Sequence, residues 1–240
     1  QFDWSRDCTG LTRSRYPSRS PQTIPYWSLH WVLAVQDYWR QTGDLQTVRQ
    51  LLPGIRSVLD SVLGRLTEEG IVGRMDGWMV ADWCPQWIEP LTPTGVPPGA
   101  AEGRGAFSSL LTAAALRAGA ELETAVSGRR GRYESAYESL RAAAHRAFYS
   151  PDRGLYLDAP PHSVASAYTN VWAILAGMPG DPAALAERIA TDRSLCALTT
   201  FSSYFACRAF SLAGRYDLAA PLLGQWRDAL DMGLSTCPET

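Results

Sequence analysis

Nothing in the 240 residues approaches the ~20 consecutive apolar positions of a membrane-spanning helix, so no membrane partner is expected. The opening Gln1-Phe2-Asp3-Trp4 has neither a basic leader region nor an initiator methionine, and the chain reads as a fragment or processed form with no visible targeting segment. An excess of charge is missing too. With 22 basic and 24 acidic residues interspersed, the net charge of −2 leaves no electrostatic footprint for nucleic acid or an anionic membrane, and the expected partner is neutral. The five cysteines, Cys8, Cys84, Cys196, Cys207 and Cys237, are scattered and form no CxxC pair. That excludes a zinc site of the usual spacing and a dense disulfide scaffold, and buried free thiols are the expectation. His145 and His162 have no carboxylate or cysteine pattern around them, and Glu102-Gly103-Arg104-Gly105 is followed by no Lys-Ser or Lys-Thr, so it is no phosphate cradle. No cofactor and no metal site is assigned.

What is present is an apolar fraction of 46% against 19% charged residues, which at this length supports one large core, and 1–240 reads as a single domain. Residues 1–23, where Arg6, Arg13, Arg15 and Arg19 lie among Ser, Thr, Gly and the helix-breaking Pro17 and Pro21, predict an irregular arm. From Ile24 to Thr42, Trp27, Trp31, Val35, Tyr38 and Trp39 recur at three- and four-residue steps. This predicts a helix with an aromatic stripe, closed by Gly43. Asp44 caps a second helix, whose apolar period runs from Val48 through Leu66 to Gly70, with Pro53 predicting a kink or a split. Further helices are expected over 104–126, 132–149, 163–177, 181–191, 200–213 and 216–232, with Gly177, Gly214 and Gly233 at their ends and a turn and short strand across 151–158. Helices joined alternately by short returns and long connections predict an all-α toroid of hairpins, an (α/α) barrel with function on its loop-rich end. No recurring consensus at a period of about 30–45 residues supports a straight solenoid.

Within the long connection over 71–103, Gly77 to Trp87 gathers Trp78, Trp83 and Trp87 around Asp82, and Pro85 disfavours a helix there. Indoles offer flat apolar faces with one N–H each; beside a carboxylate they suit a sugar-binding cleft, with rings to stack on and an acid to hold hydroxyls. The alternative reading is a Trp-rich core corner in which Asp82 caps a nearby helix.

The run Leu11 to Ser18, then Gln22-Thr23-Ile24-Pro25, Ser28-Leu29-His30-Trp31, Asp37-Tyr38-Trp39 and Thr42-Gly43-Asp44, resembles the bacterial α-L-rhamnosidases. Val80-Ala81-Asp82-Trp83 is similar to that family's aspartate-tryptophan loop. Trp226 and the closing Met232 to Glu239 resemble its run from a late tryptophan to a Gly-x-Thr-Thr-x-x-Glu element. The resemblance implies a six-hairpin (α/α) barrel and an inverting glycoside hydrolase acting on a terminal α-L-rhamnoside of a glycoside or oligosaccharide. Twelve helices would make six hairpins, so further segments of the same polypeptide are expected before Gln1 and after Thr240, the general acid among them.

On this reading the candidate catalytic carboxylates are Glu239, matching the family's general base, and Asp82; Trp83, Trp78, Trp87, Arg13, Arg15, Trp31 and His30 are the substrate-binding candidates. An inverting base must hold a water opposite the leaving group, with its partner acid ~6.5–9.5 Å away. Each candidate has a plainer reading: Glu239 as a solvated terminal acid, His30 as a core histidine, Trp31 as inner-wall packing, Arg13 and Arg15 as surface ion-pair partners. Two other functions stay open: a non-catalytic carbohydrate-binding or scaffold barrel, and a helical barrel doing isomerase or cyclase chemistry on an apolar substrate.

Overall fold

Asp44 sets the first reversal of the chain. Its carboxylate accepts from the Thr47 N–H at 3.0 Å and caps α2 (Leu45–Leu63), while the Gly43 N–H closes α1 (Pro25–Thr42) on the Trp39 carbonyl. Two helices thus fold back through Gly43 and Asp44 alone. The computed structural model describes residues 1–89, 92–93, 95–129, 131–161 and 164–236. The remaining elements are β1 (Ile88–Glu89), β2 (Thr92–Pro93), α3 (Ala106–Ser127), α4 (Arg132–Phe148), β3 (Tyr149–Ser150), β4 (Leu155–Tyr156), α5 (Ala167–Leu175), α6 (Pro182–Thr191), α7 (Thr200–Leu212), α8 (Ala219–Leu222) and α9 (Gly224–Asp231). The strands form two small antiparallel hairpins, β1 with β2 and β3 with β4.

The helices match the sequence expectations in order, while the β1–β2 hairpin and β3 go beyond the one short strand expected over 151–158; the differences among the helices have local causes. Pro53 neither splits nor ends α2, because it lies on the solvent side, where a missing backbone donor leaves no buried acceptor unpaired. α2 stops at Leu63 rather than near Gly70: the chain turns at Thr67–Gly70, and Leu66 pairs with Val72 in a β-bridge. The single helix expected over 216–232 is a 3-10 turn (Tyr216–Leu218) followed by α8 and α9, with Pro221 withholding an N–H within α8.

The helices divide into two layers. α3 lies against α1 and α5, and α5 against α7, while α2 and α4 pack on α3 and α6 packs on α5 and α7. Among α1 to α7, the odd-numbered helices form an inner set and the even-numbered ones an outer set. Burial follows this division: every residue of α5 is buried, as are most of α3, whereas α2, α4 and α6 bury one face. Ala113, Ala114, Ala115 and Ala118 let α3 sit closely between its neighbours, and Tyr26, Phe107, Tyr168 and Trp172 fill the centre. Each such ring contributes roughly 1.5–3 kcal/mol of burial.

The inner helices run parallel. At their amino ends, the Tyr26 hydroxyl of α1 meets Ser108 Oγ of α3 at 2.7 Å, and the Asp158 carbonyl accepts the first N–H of α3 at 2.8 Å while its carboxylate holds Ser166, the N-cap of α5. At their carboxyl ends, Gln36 and Arg40 of α1 reach Glu121 of α3, and Arg117 of α3 donates to the Leu175 carbonyl at the end of α5. α7 returns to α1 through side chains: Arg208 holds both oxygens of Asp37, at 2.6 and 2.8 Å.

Candidate functional site

Two glycines set the indole loop. Gly77 has φ +116, and a Cβ there would lie 2.5 Å from the Thr23 carbonyl, the group that accepts the Trp78 N–H at 3.0 Å. Gly95 has φ +61; its carbonyl accepts the Ala81 N–H at 2.9 Å, and a Cβ there would lie 2.8 Å from the Asp82 carbonyl oxygen. Only glycine allows both the left-handed backbone and the close approach. The loop is thereby pinned to the start of α1 on one side and to the return of the connection on the other.

Between those pins Asp82 turns inward and is 5% exposed. One carboxylate oxygen accepts the Trp83 N–H at 2.8 Å and the other accepts the Thr199 hydroxyl at 2.5 Å. Thr199 is the N-cap of α7, in a reciprocal capping box with Ser202. The arrangement repeats at α5, where the buried Asp158 accepts the Ser166 hydroxyl at 2.8 Å. Burial pushes the Asp158 carboxyl up to about 6. Asp82 thus holds Thr199, the cap of α7, while lining a cavity.

That cavity has a volume of about 490 Å³ and is walled by Trp27, Trp78, Trp83, Phe201, Tyr204 and Trp226, with Asp82 in its lining. Trp78 and Trp83 meet edge to face, ring centres 5.8 Å apart. Trp27, Phe201 and Tyr204 remain 39%, 36% and 56% exposed, a large apolar surface for one cleft. Below it, His30 packs against Trp172 and Phe205 at 5.4 and 5.1 Å between ring centres. Desolvation pushes its pKa down to about 4, so the imidazole is neutral at neutral pH. Behind His30, burial foremost and then the Asp82 charge hold the Tyr168 hydroxyl above the usual phenol range.

Of the sequence candidates, Asp82, Trp78 and Trp83 share the cavity, with His30 under its floor. Trp87 is buried and stacks on Tyr168, within the core beneath the loop. Trp31 is buried on the far side of α1, its ring near Gly54 of α2. Arg13 stays in the arm, where its N–H donates to Ser5 and its charge acts on Asp7, and Arg15 is exposed there; neither lines the cavity. Glu239 lies outside the described residues, as do His162 and Cys237. The far wall, Phe201 and Tyr204, is not singled out by the sequence pattern, nor is Thr199; a Thr-x-x-Ser cap ahead of an aromatic helix is the signal available.

A larger depression of about 670 Å³ lies beside α5 and α6, but its acids are engaged. Asp181 caps α6 and Glu187 pairs with Arg215 at 2.5 Å. Among the described residues no group of three or more His, Cys, Asp and Glu side chains converges as a metal site, and no helix is long and apolar enough to cross a membrane.

Comparison with known proteins places this geometry. The model of the bacterial alpha-L-rhamnosidase six-hairpin glycosidase domain matches residues 5–193. No curated protein sequence matches the chain. Among solved structures it is similar to a GH78 family rhamnosidase of Bacillus sp. GL1 (TM-score 0.85, 23% identity, 99% of this chain, 25% of that one). It is similar also to a rhamnosidase from Klebsiella oxytoca with rhamnose bound (0.72, 21%, 94% and 43%) and to a GH63 mannosylglycerate hydrolase from Thermus thermophilus in complex with glucose (0.66, 16%, 96% and 78%). The chain thus spans a quarter of the Bacillus structure and less than half of the Klebsiella one. These likenesses show a helical-hairpin fold, and the family match shows more: this chain belongs to the bacterial α-L-rhamnosidase six-hairpin glycosidase domain family.

Proposed function

We propose that the chain carries the sugar-binding wall of a glycoside hydrolase that removes terminal α-L-rhamnose with inversion. The observation that supports this most directly is the cavity in which Asp82 faces Trp27, Trp78, Trp83, Phe201, Tyr204 and Trp226. A 6-deoxy sugar presents a methyl group and ring C–H faces to indoles and hydroxyls to a carboxylate, and this lining offers both surfaces. Asp82, held by Trp83 and Thr199, acts on the substrate by orienting a sugar hydroxyl. Trp78 and Trp83 supply the stacking faces.

Glu239 is the base in this reading. It takes a proton from the water that attacks the anomeric carbon, and a second carboxyl group ~6.5–9.5 Å away protonates the leaving oxygen. Two substitutions in the intact polypeptide carrying this chain test the assignment. Glu239→Gln should abolish release of an aryl α-L-rhamnoside while leaving rhamnose affinity within about three-fold, because the base acts on water rather than on bound sugar. Trp83→Ala should weaken rhamnose binding by ~1–3 kcal/mol. Unchanged turnover in the first variant removes Glu239 from the mechanism, and unchanged affinity in the second reduces Trp83 to packing.

A further inference from the structure

Two of the scattered cysteines come together where the loop meets α7. Cys84 follows the Asp82-Trp83 pair, and Cys196 lies in the segment leading to Thr199; both are buried. Cys84 Sγ is 3.5 Å from the carbonyl oxygen of Ala197, the residue after Cys196, and 3.1 Å from Gln86 Oε1, and its thiol interacts with that of Cys196. The Cys196 backbone is fixed on both sides, its N–H on the Ala165 carbonyl at 3.1 Å and its carbonyl accepting the Ala167 N–H at 2.9 Å. The other described cysteines have no such neighbour: Cys8 is exposed on the arm and Cys207 lies part-way along α7.

We propose that Cys84 and Cys196 form a redox-modifiable dithiol, which closes to a disulfide and staples the indole loop to the segment entering α7. Cys196 is the more exposed of the two, at 8% against 3%, and the neighbouring Cys84 thiol lowers its proton affinity, so it is the attacking sulfur. Gln86, Leu195 and Ala197, close to the two cysteines in the chain, line a cavity of about 360 Å³ that neither cysteine itself lines, so the small disulfide reaches the pair when this wall opens. The Cys196 thiolate attacks one sulfur of a low-molecular-weight disulfide of the glutathione class and expels one thiolate. Cys84 gives up its proton and attacks the Cys196 sulfur of the mixed disulfide, expelling the second. The protein loses two electrons and two hydrogens, and the small disulfide is reduced to two thiols.

The covalent tie would lie beside the Asp82–Thr199 hydrogen bond, and both join the same two segments. Oxidation should therefore restrict the loop that carries Trp78 and Trp83. The test treats the full chain with excess oxidised glutathione, followed by denaturing alkylation, intact mass and peptide mapping. The expected result is a loss of about 2 Da with a linked Cys84–Cys196 peptide, absent in Cys84→Ser and Cys196→Ser and retained in Cys207→Ser. Amide exchange across 78–84 should slow roughly five-fold in the oxidised chain relative to the reduced one. Recovery of both cysteines as free alkylated thiols while Cys8 carries glutathione overturns the proposal, and so does a disulfide that leaves exchange across 78–84 unchanged. Should either serine variant fail to fold, the linked peptide in the unsubstituted chain decides.

Discussion

Thr199 joins two jobs in one hydroxyl group, accepting from the first turn of α7 and donating to Asp82 at 2.5 Å. Thr199→Val keeps the shape and removes both bonds, leaving a carboxylate oxygen short of a donor in a site that is 5% exposed. The expected cost is about 2–3 kcal/mol in urea unfolding, with Thr199→Ser restoring all but ~0.5 kcal/mol. His30 and Asp158 make an opposed pair in their response to pH. The His30 pKa is held at about 4, below its ordinary 6.5. Between those values the unfolded chain binds a proton that the folded chain does not, so stability present above pH 6.5 is lost as pH falls toward about 4. Asp158 is raised from 3.8 to about 6, so its buried charge is penalised above about pH 6 and the penalty is relieved as pH falls toward 3.8. Stability differences from single variants separate the two. From pH 7 to pH 4 the unsubstituted chain should lose roughly 2–3 kcal/mol relative to His30→Gln and gain a similar amount relative to Asp158→Asn, both read by urea titration.

At the scale of elements, the indole loop is held by its glycines more than by secondary structure. Gly95→Ala must take φ +61 and put a methyl 2.7 Å from Val80 Cγ2 and 2.8 Å from the Asp82 carbonyl oxygen. Gly154→Ala, at φ +64 in the β3–β4 turn, meets nothing within 4 Å. The first should cost ~2–4 kcal/mol and, if the proposed sugar-binding role holds, lower the affinity for rhamnose, and the second only ~1 kcal/mol with affinity unchanged. Calorimetric unfolding and a binding titration distinguish them. The helices themselves are legible in the sequence because their information is local: the Asp44 cap, the three- and four-residue aromatic steps of α1, and the glycines after α5 and α7. The pattern of α2 overruns Leu63 because Leu66 keeps the apolar phase after the backbone has turned. That Asp82, Trp78 and Trp83 lie together on one cavity is legible because eleven consecutive residues carry both stacking surface and charge. Tyr204, Phe201 and the Cys84–Cys196 pair are not, since helix packing brings together positions that sequence spacing leaves unrelated. Trp87 and Trp31 are overread for the same reason, as composition does not say which way a ring points.

For the molecule as a whole, the tie between α7 and α1 is made by side chains rather than by close helix packing. Arg208 and Asp37 are each about a third exposed or less, so their two-pronged bond is screened only in part. A double-mutant cycle with Asp37→Asn and Arg208→Gln should return a coupling of roughly 1 kcal/mol, reduced in molar salt. A coupling near zero would mean that ring contacts alone, such as His30 on Phe205, hold these helices together.

The parallel run of α1, α3, α5 and α7 has an electrical consequence that a net charge of −2 conceals. Aligned peptide dipoles add, giving partial positive charge at the pole where the amino ends of α1 and α7 line the aromatic cleft and partial negative charge at the opposite pole. Of the arginines around a cavity at that second pole, Arg40 is paired with Glu121 and Arg208 with Asp37, and it is Arg117, donating to the Leu175 carbonyl, whose charge offsets the negative end. A near-neutral protein is thus polarised along its own axis, and electron density accumulating on an oxygen in the cleft meets a field already in place before any ligand arrives.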